Sequence, residues 1–264
     1  MARKIVVTSG KGGVGKTSVT AGIGICLASR GSSVLLIDAD VGLNNLDVVL
    51  GMERRIVFDM TDVLSGKCSV RRALLQDEYL QNLYLLPSAH AYASDSIPAQ
   101  DFRKLLNRLD NSFEYILIDC PAGIDSGFHR AVSGADEAIV VTTAHIAAIR
   151  DADKTLAMLA GYGLCGIHLI INRMRGDLMV QGSMMPPDEI ARLLRYPLIG
   201  VVPEDDTITV YSQVGRIGMQ ASHARTALDM IADNLVSGSR KVYDPTVRYR
   251  GILGKLKIWL DRGL

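Results

Sequence analysis

The sequence predicts a doubly wound α/β fold built on a mostly parallel sheet, and three observations carry that prediction. Seven short β-branched or aliphatic runs, 5–8, 34–38, 83–86, 115–119, 138–142, 167–171 and 198–202, are apolar almost throughout. A strand covered on both faces reads this way, because neither face is left to water. Helical stretches at 16–30, 98–109, 148–160, 187–194 and 223–236 fall between the runs. Strands alternating with helices are joined as parallel neighbours with helices on both faces. Third, a glycine-rich turn sits directly between the first run and the first helical stretch. Ligands of such folds sit beyond the carboxyl ends of the strands, so the chemistry is expected there.

Composition supports one large core. The chain has 264 residues, 48% hydrophobic and 22% charged, which suits a single α/β domain. The net charge of +1 is unevenly spread: residues 240–264 carry seven basic side chains and two acids, a net +5, which leaves −4 for residues 1–239. An acidic body with a basic tail calls for an explanation. The expected organisation is a nucleotide-binding domain over 1–237, a linker over 238–250 rich in Gly, Ser, Pro and charge, and a C-terminal helix over 251–264. Four cysteines show no CxxC pairing and read as reduced thiols. No uncharged apolar run approaches about 18 residues, so no spanning helix is expected. The five histidines have no ligand spacing.

The turn reads Gly10-Lys11-Gly12-Gly13-Val14-Gly15-Lys16-Thr17-Ser18. It matches GxxxxGK followed by Thr, in the required place between strand and helix. Glycines let the backbone curl until several N–H groups face one point, and the helix adds its positive end. Lys16 supplies a point charge for the β- and γ-phosphates of ATP, and the Thr17 hydroxyl can ligate Mg2+. Lys11 is not needed for cradling.

Carboxylates close two of the buried runs. Asp38 and Asp40 alternate, so both face the same side of an extended segment. Asp40 is the candidate for orienting the attacking water and Asp38 for supporting the Mg2+ shell. Asp119 ends the run 115–119 and would hold Mg2+ through water. Gly123 frees the loop beyond it. Asn172-Arg173 and Pro203-Glu204-Asp205 come after two further runs. They read either as ordinary turn residues or as contacts to the nucleobase, since an Asn amide both donates and accepts.

The tail is amphipathic. At about 100° per residue, Ile252, Leu253, Leu256, Trp259, Leu260 and Leu264 fall within an arc of roughly 140°. Lys255, Lys257 and Arg262 border that arc, and Ile258 is the exception. Apolar face, Trp and basic edges suit a helix lying in a membrane interface, drawn to anionic lipid. A terminal helix docked on the body is the alternative.

With Lys11 ahead of the glycines, the loop resembles the deviant Walker A family of P-loop ATPases, whose loop reads Lys-Gly-Gly-x-Gly-Lys-Thr/Ser. Within it the chain is most similar to the MinD group of division-site-selection ATPases. The matching stretches are 6–17, 42–47, 51–55, 119–124, 131–136, 141–143, 150–153 and 202–205. The resemblance implies several roles. Lys11 reaches across an ATP-dependent homodimer to the partner's phosphates. Asn172 and residues 203–205 contact adenine. Asp151 and Asp153 receive a MinC-like inhibitor and a MinE-like or other regulator. The tail holds the protein on the inner face of the cell membrane, from which hydrolysis releases it. Asn44, Asp125, Ala144-His145 and Arg216-Ile217 depart from the family pattern, which bears on partner surfaces and leaves the nucleotide residues untouched. Four rival readings share the cradle. A DNA-partitioning ParA-type or flagellar-number ATPase would want a basic body or an N-terminal extension. An iron–sulfur reductase would want cysteines at the switch segments. A non-hydrolysing scaffold would leave Asp40 and Lys11 idle. No specific nucleic acid is expected as partner.

Overall fold

The computed structural model describes residues 1–41, 45–88, 97–213 and 221–250. Among these the core element is an eight-stranded sheet of order β3-β4-β2-β5-β1-β6-β7-β8. Its strands are β1 (Arg3–Thr8), β2 (Val34–Asp38), β3 (Leu75–Gln76), β4 (Leu83–Leu86), β5 (Tyr115–Asp119), β6 (Glu137–Thr142), β7 (Gly166–Met174) and β8 (Leu198–Pro203). All pairings are parallel except β3 with β4. The seven expected runs are all strands. The eighth, β3, has only two residues, too few to carry a period.

Within each central strand successive side chains enter opposite layers, as the pleat requires. Ile5, Val7, Leu36 and Leu117 pack into one core with α1 (Lys16–Ser29) and α11 (His223–Ser237). Val6, Leu35, Ile37, Ile116 and Ile118 pack into the other, with α5 (Ala99–Leu109), α6 (Ser126–Val132), α7 (Ile146–Leu159) and α9 (Pro187–Leu194). That double covering is why the runs are apolar throughout rather than alternating. The five expected helices are α1, α5, α7, α9 and α11, within two residues at each end. The unforeseen ones are α2 (Leu46–Leu50), α3 (Met60–Leu64), α4 (Val70–Ala73), α6, α8 (Gly176–Val180) and α10 (Asp206–Gln213). Each has eight residues or fewer, about two turns, so its period cannot repeat enough to be read.

The segment expected to be a linker, 238–250, lies against the body as a strap. Gly238 ends α11 in the left-handed conformation. The Asn234 amide then grips the chain beyond it, donating to the Lys241 carbonyl at 2.7 Å and accepting from the Lys241 N–H at 3.2 Å. Tyr243 is buried, and its hydroxyl meets His223 Nδ1 at 2.7 Å. Asp244 accepts from the Thr246 N–H at 2.9 Å, shaping a turn before the 3-10 helix Val247–Tyr249. Residues 251–264, with Ile252, Leu253, Leu256, Trp259 and Leu260, lie outside the described residues, as do 42–44, 89–96 and 214–220.

Candidate functional site: a phosphate cradle at the carboxyl ends of the central strands

β1 delivers the chain to the cradle at the middle of the sheet, between β5 and β6. Gly13 and Gly15 both hold positive φ, +81° and +87°, a region that L side chains rarely enter. Gly15 is constrained twice, because an added Cβ would lie 2.4 Å from the Asn172 amide nitrogen. α1 starts at the next residue, Lys16, so the loop runs straight into a helix N-terminus. Thr17 and Ser18 lie in its first turn. Lys11, Gly12 and Gly13 are exposed at the rim, whereas Val14 is buried and anchors the loop.

Three side chains converge on Asp119 at the end of β5. Lys16 Nζ donates to Asp119 Oδ1 at 2.8 Å, with both side chains almost fully buried. The Thr17 hydroxyl donates to Asp119 Oδ2 at 2.7 Å. The Thr20 hydroxyl donates to Asp119 Oδ1 at 3.1 Å. Burial acts most strongly on Lys16 and would lower its pKa, but the charge and hydrogen bond of Asp119 together outweigh it and leave the pKa raised, so the ammonium stays charged. Among the described residues no three His, Cys, Asp or Glu side chains cluster to hold a metal. One hydroxyl and one carboxylate, side by side and all oxygen, fit instead the sparse protein shell Mg2+ takes when phosphates and water complete it.

Asp38 sits beside Asp119 as its direct neighbour in the β2–β5 register. Its Oδ1 accepts from the Asp40 N–H at 3.0 Å, and its Oδ2 accepts from the N–H groups of Asn45 and Leu46 at 3.2 Å each. The carboxylate therefore shapes the loop that carries Asp40 as well as facing Asp119. Burial, then the charge of Asp119, pushes its pKa up to about 7. Asp40 is half-buried. Burial raises its pKa most, Lys16 opposes, and Asp119 raises it further. A carboxylate with raised pKa is a better proton acceptor, the property a general base needs. Sequence reading missed two groups here: Thr20, and Arg130 on α6, which is buried and lowers the Asp40 pKa. Neither sits in a motif.

The expected base-side residues gather at the ends of β7 and β8. The sequence places the end of this strand at residue 171, with Asn172 in the turn beyond; β7 instead runs on to Met174, with its pairing to β8 irregular between Ile171 and Met174. That irregularity sends the buried Asn172 toward the cradle, where its amide donates to the Val14 carbonyl at 2.8 Å. Asn172 therefore braces the loop. Arg173 holds φ +57° and lines the cradle cavity. β8 likewise reaches Pro203. The Asp205 carboxylate accepts from the N–H of Thr207 at 3.0 Å and of Ala224 at 3.1 Å, and from the Thr207 hydroxyl at 2.7 Å. It fixes the starts of α10 and α11 and also lines the cavity at the ends of β7 and β8. Glu204 is exposed.

Two cavities meet here. One of about 380 Å³ is lined by Lys11, Gly12, Gly13 and Val14 of the loop with Thr143, His145 and Arg173. The other, about 460 Å³, is lined by Met174, Gly176, Pro203 and Asp205. Arg175 and Glu204 line both. On α7, Asp153 is exposed. Asp151 packs so tightly under the loop that a Cβ at Gly10 would lie 2.2 Å from its carbonyl oxygen. All four cysteines are free thiols, and burial pushes Cys26 and Cys120 up to about 12. No described helix is long and apolar enough to cross a membrane.

A parallel sheet that sends its central strand into this loop, with Asp119 closing the adjacent strand, defines a P-loop nucleotide-binding protein, and Lys11 places it in the deviant Walker A class. A family model described as an AAA domain matches residues 2–160. The septum site-determining protein MinD of Synechocystis is 47% identical over 215 residues, covering 81% of each chain. The MinC:MinD cell division complex of Aquifex aeolicus superposes with TM-score 0.84 at 39% identity, over 90% of this chain and 97% of that one. MinD of Pyrococcus horikoshii complexed with Mg-ADP superposes with TM-score 0.82 at 30% identity, over 90% and 97%. The chain belongs to the MinD family of cell-division P-loop ATPases.

Proposed function

We propose that this protein hydrolyses ATP as a switch that places the division septum. The observation that carries this reading is the Lys16–Thr17–Asp119 cluster, with Lys16 and Asp119 buried, beneath a loop whose additional lysine, Lys11, stands exposed at the rim. Mg2+ would be held by Thr17 and Asp119 together with the phosphates, and would neutralise charge on the transferring group. Lys16 binds the phosphates, the N–H groups of residues 12–18 cradle them, and Asp40 orients water toward them. Lys11 acts across a homodimer, as an arginine finger does in trans. Asn172 and Arg173 hold the loop against the base side, and Pro203–Asp205 bound the base.

In this reading ATP assembles a dimer that presents two amphipathic tails. Two weak membrane contacts joined in one particle bind with avidity, roughly 100-fold or more tighter than one. The dimer settles on anionic lipid at the inner face of the membrane. There it recruits a MinC-like inhibitor through the α7 face with Asp151 and Asp153, and a MinE-like or other regulator drives hydrolysis and release. The relative complexed with Mg-ADP supports the nucleotide, and the relative solved with MinC supports the partner.

Sedimentation with anionic liposomes in ATP, in ADP and without nucleotide tests the reading. Pelleting with ATP alone is expected, and Lys11→Ala should abolish it while leaving nucleotide binding intact. Equal pelleting in all three conditions would sink the switch.

A further inference from the structure

Residues 239–250 connect the body to the tail, and they do more than connect. Asn234 grips Lys241, Tyr243 is pinned to His223, and Pro245 is buried. The tightest approach is at the start of α8. A Cβ added to Gly176 would lie 2.0 Å from the Pro245 carbonyl oxygen and 2.9 Å from Tyr249 Cδ2. Only glycine lets the strap backbone lie this near the end of β7. The result is that Pro245, Arg248 and Tyr249 line the same cavity of about 460 Å³ as the ends of β7 and β8. That size is in the range of small-ligand pockets. It shares Arg175 and Glu204 as lining residues with the cavity of the phosphate loop.

We propose that the strap is the outer wall of the nucleobase end of the site, with Tyr249 and Arg248 in contact with the base or ribose of a bound nucleotide. The inference rests on the proposed function, in which the base lies at the ends of β7 and β8. A tyrosine ring and a planar guanidinium are the side chains that lie flat against a purine. Arg248 is exposed and Tyr249 half-buried, so both border the open side of the pocket.

The strap ends where the tail begins. Arg250 closes the turn by bonding Asp244 and by donating to the Thr246 hydroxyl at 3.1 Å, and residue 251 is the next in the chain. A nucleotide that orders 244–249 therefore acts at the root of the tail within a single protomer, before any dimer forms. Linkage makes the effect reciprocal: a membrane that favours the ordered strap tightens nucleotide binding by the same factor.

The test is amide hydrogen exchange on the full-length chain with Mg-ATP and with Mg-tripolyphosphate, which has no base. Exchange at 246–250 should slow several-fold with ATP and stay unchanged with tripolyphosphate. Protection confined to 174–176 and 203–207 would overturn the strap contact and leave the base-site reading standing. No base-dependent protection at either place would overturn both. In parallel, Tyr249→Ala should lower the ratio of ATP to tripolyphosphate affinity about 10-fold, the scale of one aromatic stack, and Tyr249→Phe should keep it. An unchanged ratio in Tyr249→Ala overturns the proposal, whether or not the absolute affinities fall.

Discussion

The two ends of the nucleotide site are built on opposite plans. At the phosphate end, nine consecutive residues and one strand terminus do the work. The Lys16 ammonium, the Thr17 hydroxyl and the Asp119 carboxylate are locked together at 2.7–2.8 Å, and Lys16 and Asp119 are buried. At the end proposed to take the base, separate stretches of chain supply the walls, and Arg175, Glu204 and Arg248 stand exposed. In the proposed function the difference comes from what each end recognises. Phosphate is bound by charge, and a few preorganised charges in a low-dielectric setting suffice. A base is bound by shape, and shape needs surfaces from several directions.

The largest expected effect is on the charged end. Lys16→Ala should lower Mg-ATP affinity by at least about 100-fold, and leaving Asp119 buried without its ion partner should cost roughly 3 kcal/mol of stability. Calorimetric titration and denaturant unfolding measure the two losses. Near-normal affinity would break the claim that charge dominates this end.

Gly15→Ala sharpens the contrast. The added methyl meets the Asn172 amide at 2.4 Å on a backbone with φ +87°, so the loop must shift. ATP and tripolyphosphate affinity should fall together, by about 10-fold, because a misplaced cradle weakens phosphate contacts whatever is attached to them. A loss restricted to ATP would mean that the glycine serves the base rather than the phosphates.

A third effect concerns pH and is read on stability rather than on affinity. Asp38 keeps its proton up to about 7 in the folded chain, whereas an unfolded aspartate releases it near 3.8. Between those values the folded form binds more protons than the unfolded, so stability falls as pH rises through the window. From pH 5 upward the decline should amount to about 2–3 kcal/mol, and Asp38→Asn should flatten it. Urea unfolding at pH 5 and at pH 8 reads the slope, and an equally steep slope in the variant would assign it to other groups.

Much of this was legible in the sequence for a physical reason. The central strands are covered on both faces, so their runs are apolar throughout and stand out. The loop needs glycines and a lysine at fixed spacing, so Gly10–Thr17 identified itself. Asp119 and Asp38 were visible because each closes an apolar run beside the cradle; an aspartate at a strand end alone also serves as an ordinary cap. The short helices α2, α3, α4 and α8 were not legible, since four or five residues do not complete a second turn. Asn172 is visible as a residue near a strand end, but its actual work, donating to the Val14 carbonyl, depends on a pairing irregularity in β7 that nothing local announces. Asp205 is visible too, and its carboxylate turns out to cap the starts of two helices. Thr20 and Arg130 escape notice because each reaches its partner only across the fold.

The sequence by itself determined the fold class, the cradle and the carboxylates around it, because each of these is written in contiguous residues whose spacing is set by backbone geometry. Only the tertiary structure decided that the segment after α11 is a docked strap, that Gly176 admits it, and that Tyr249 and Arg248 share a cavity with β7 and β8. Those relations join residues about 70 positions apart in the chain. Local propensity carries no information about such distances, and packing alone brings the segments together.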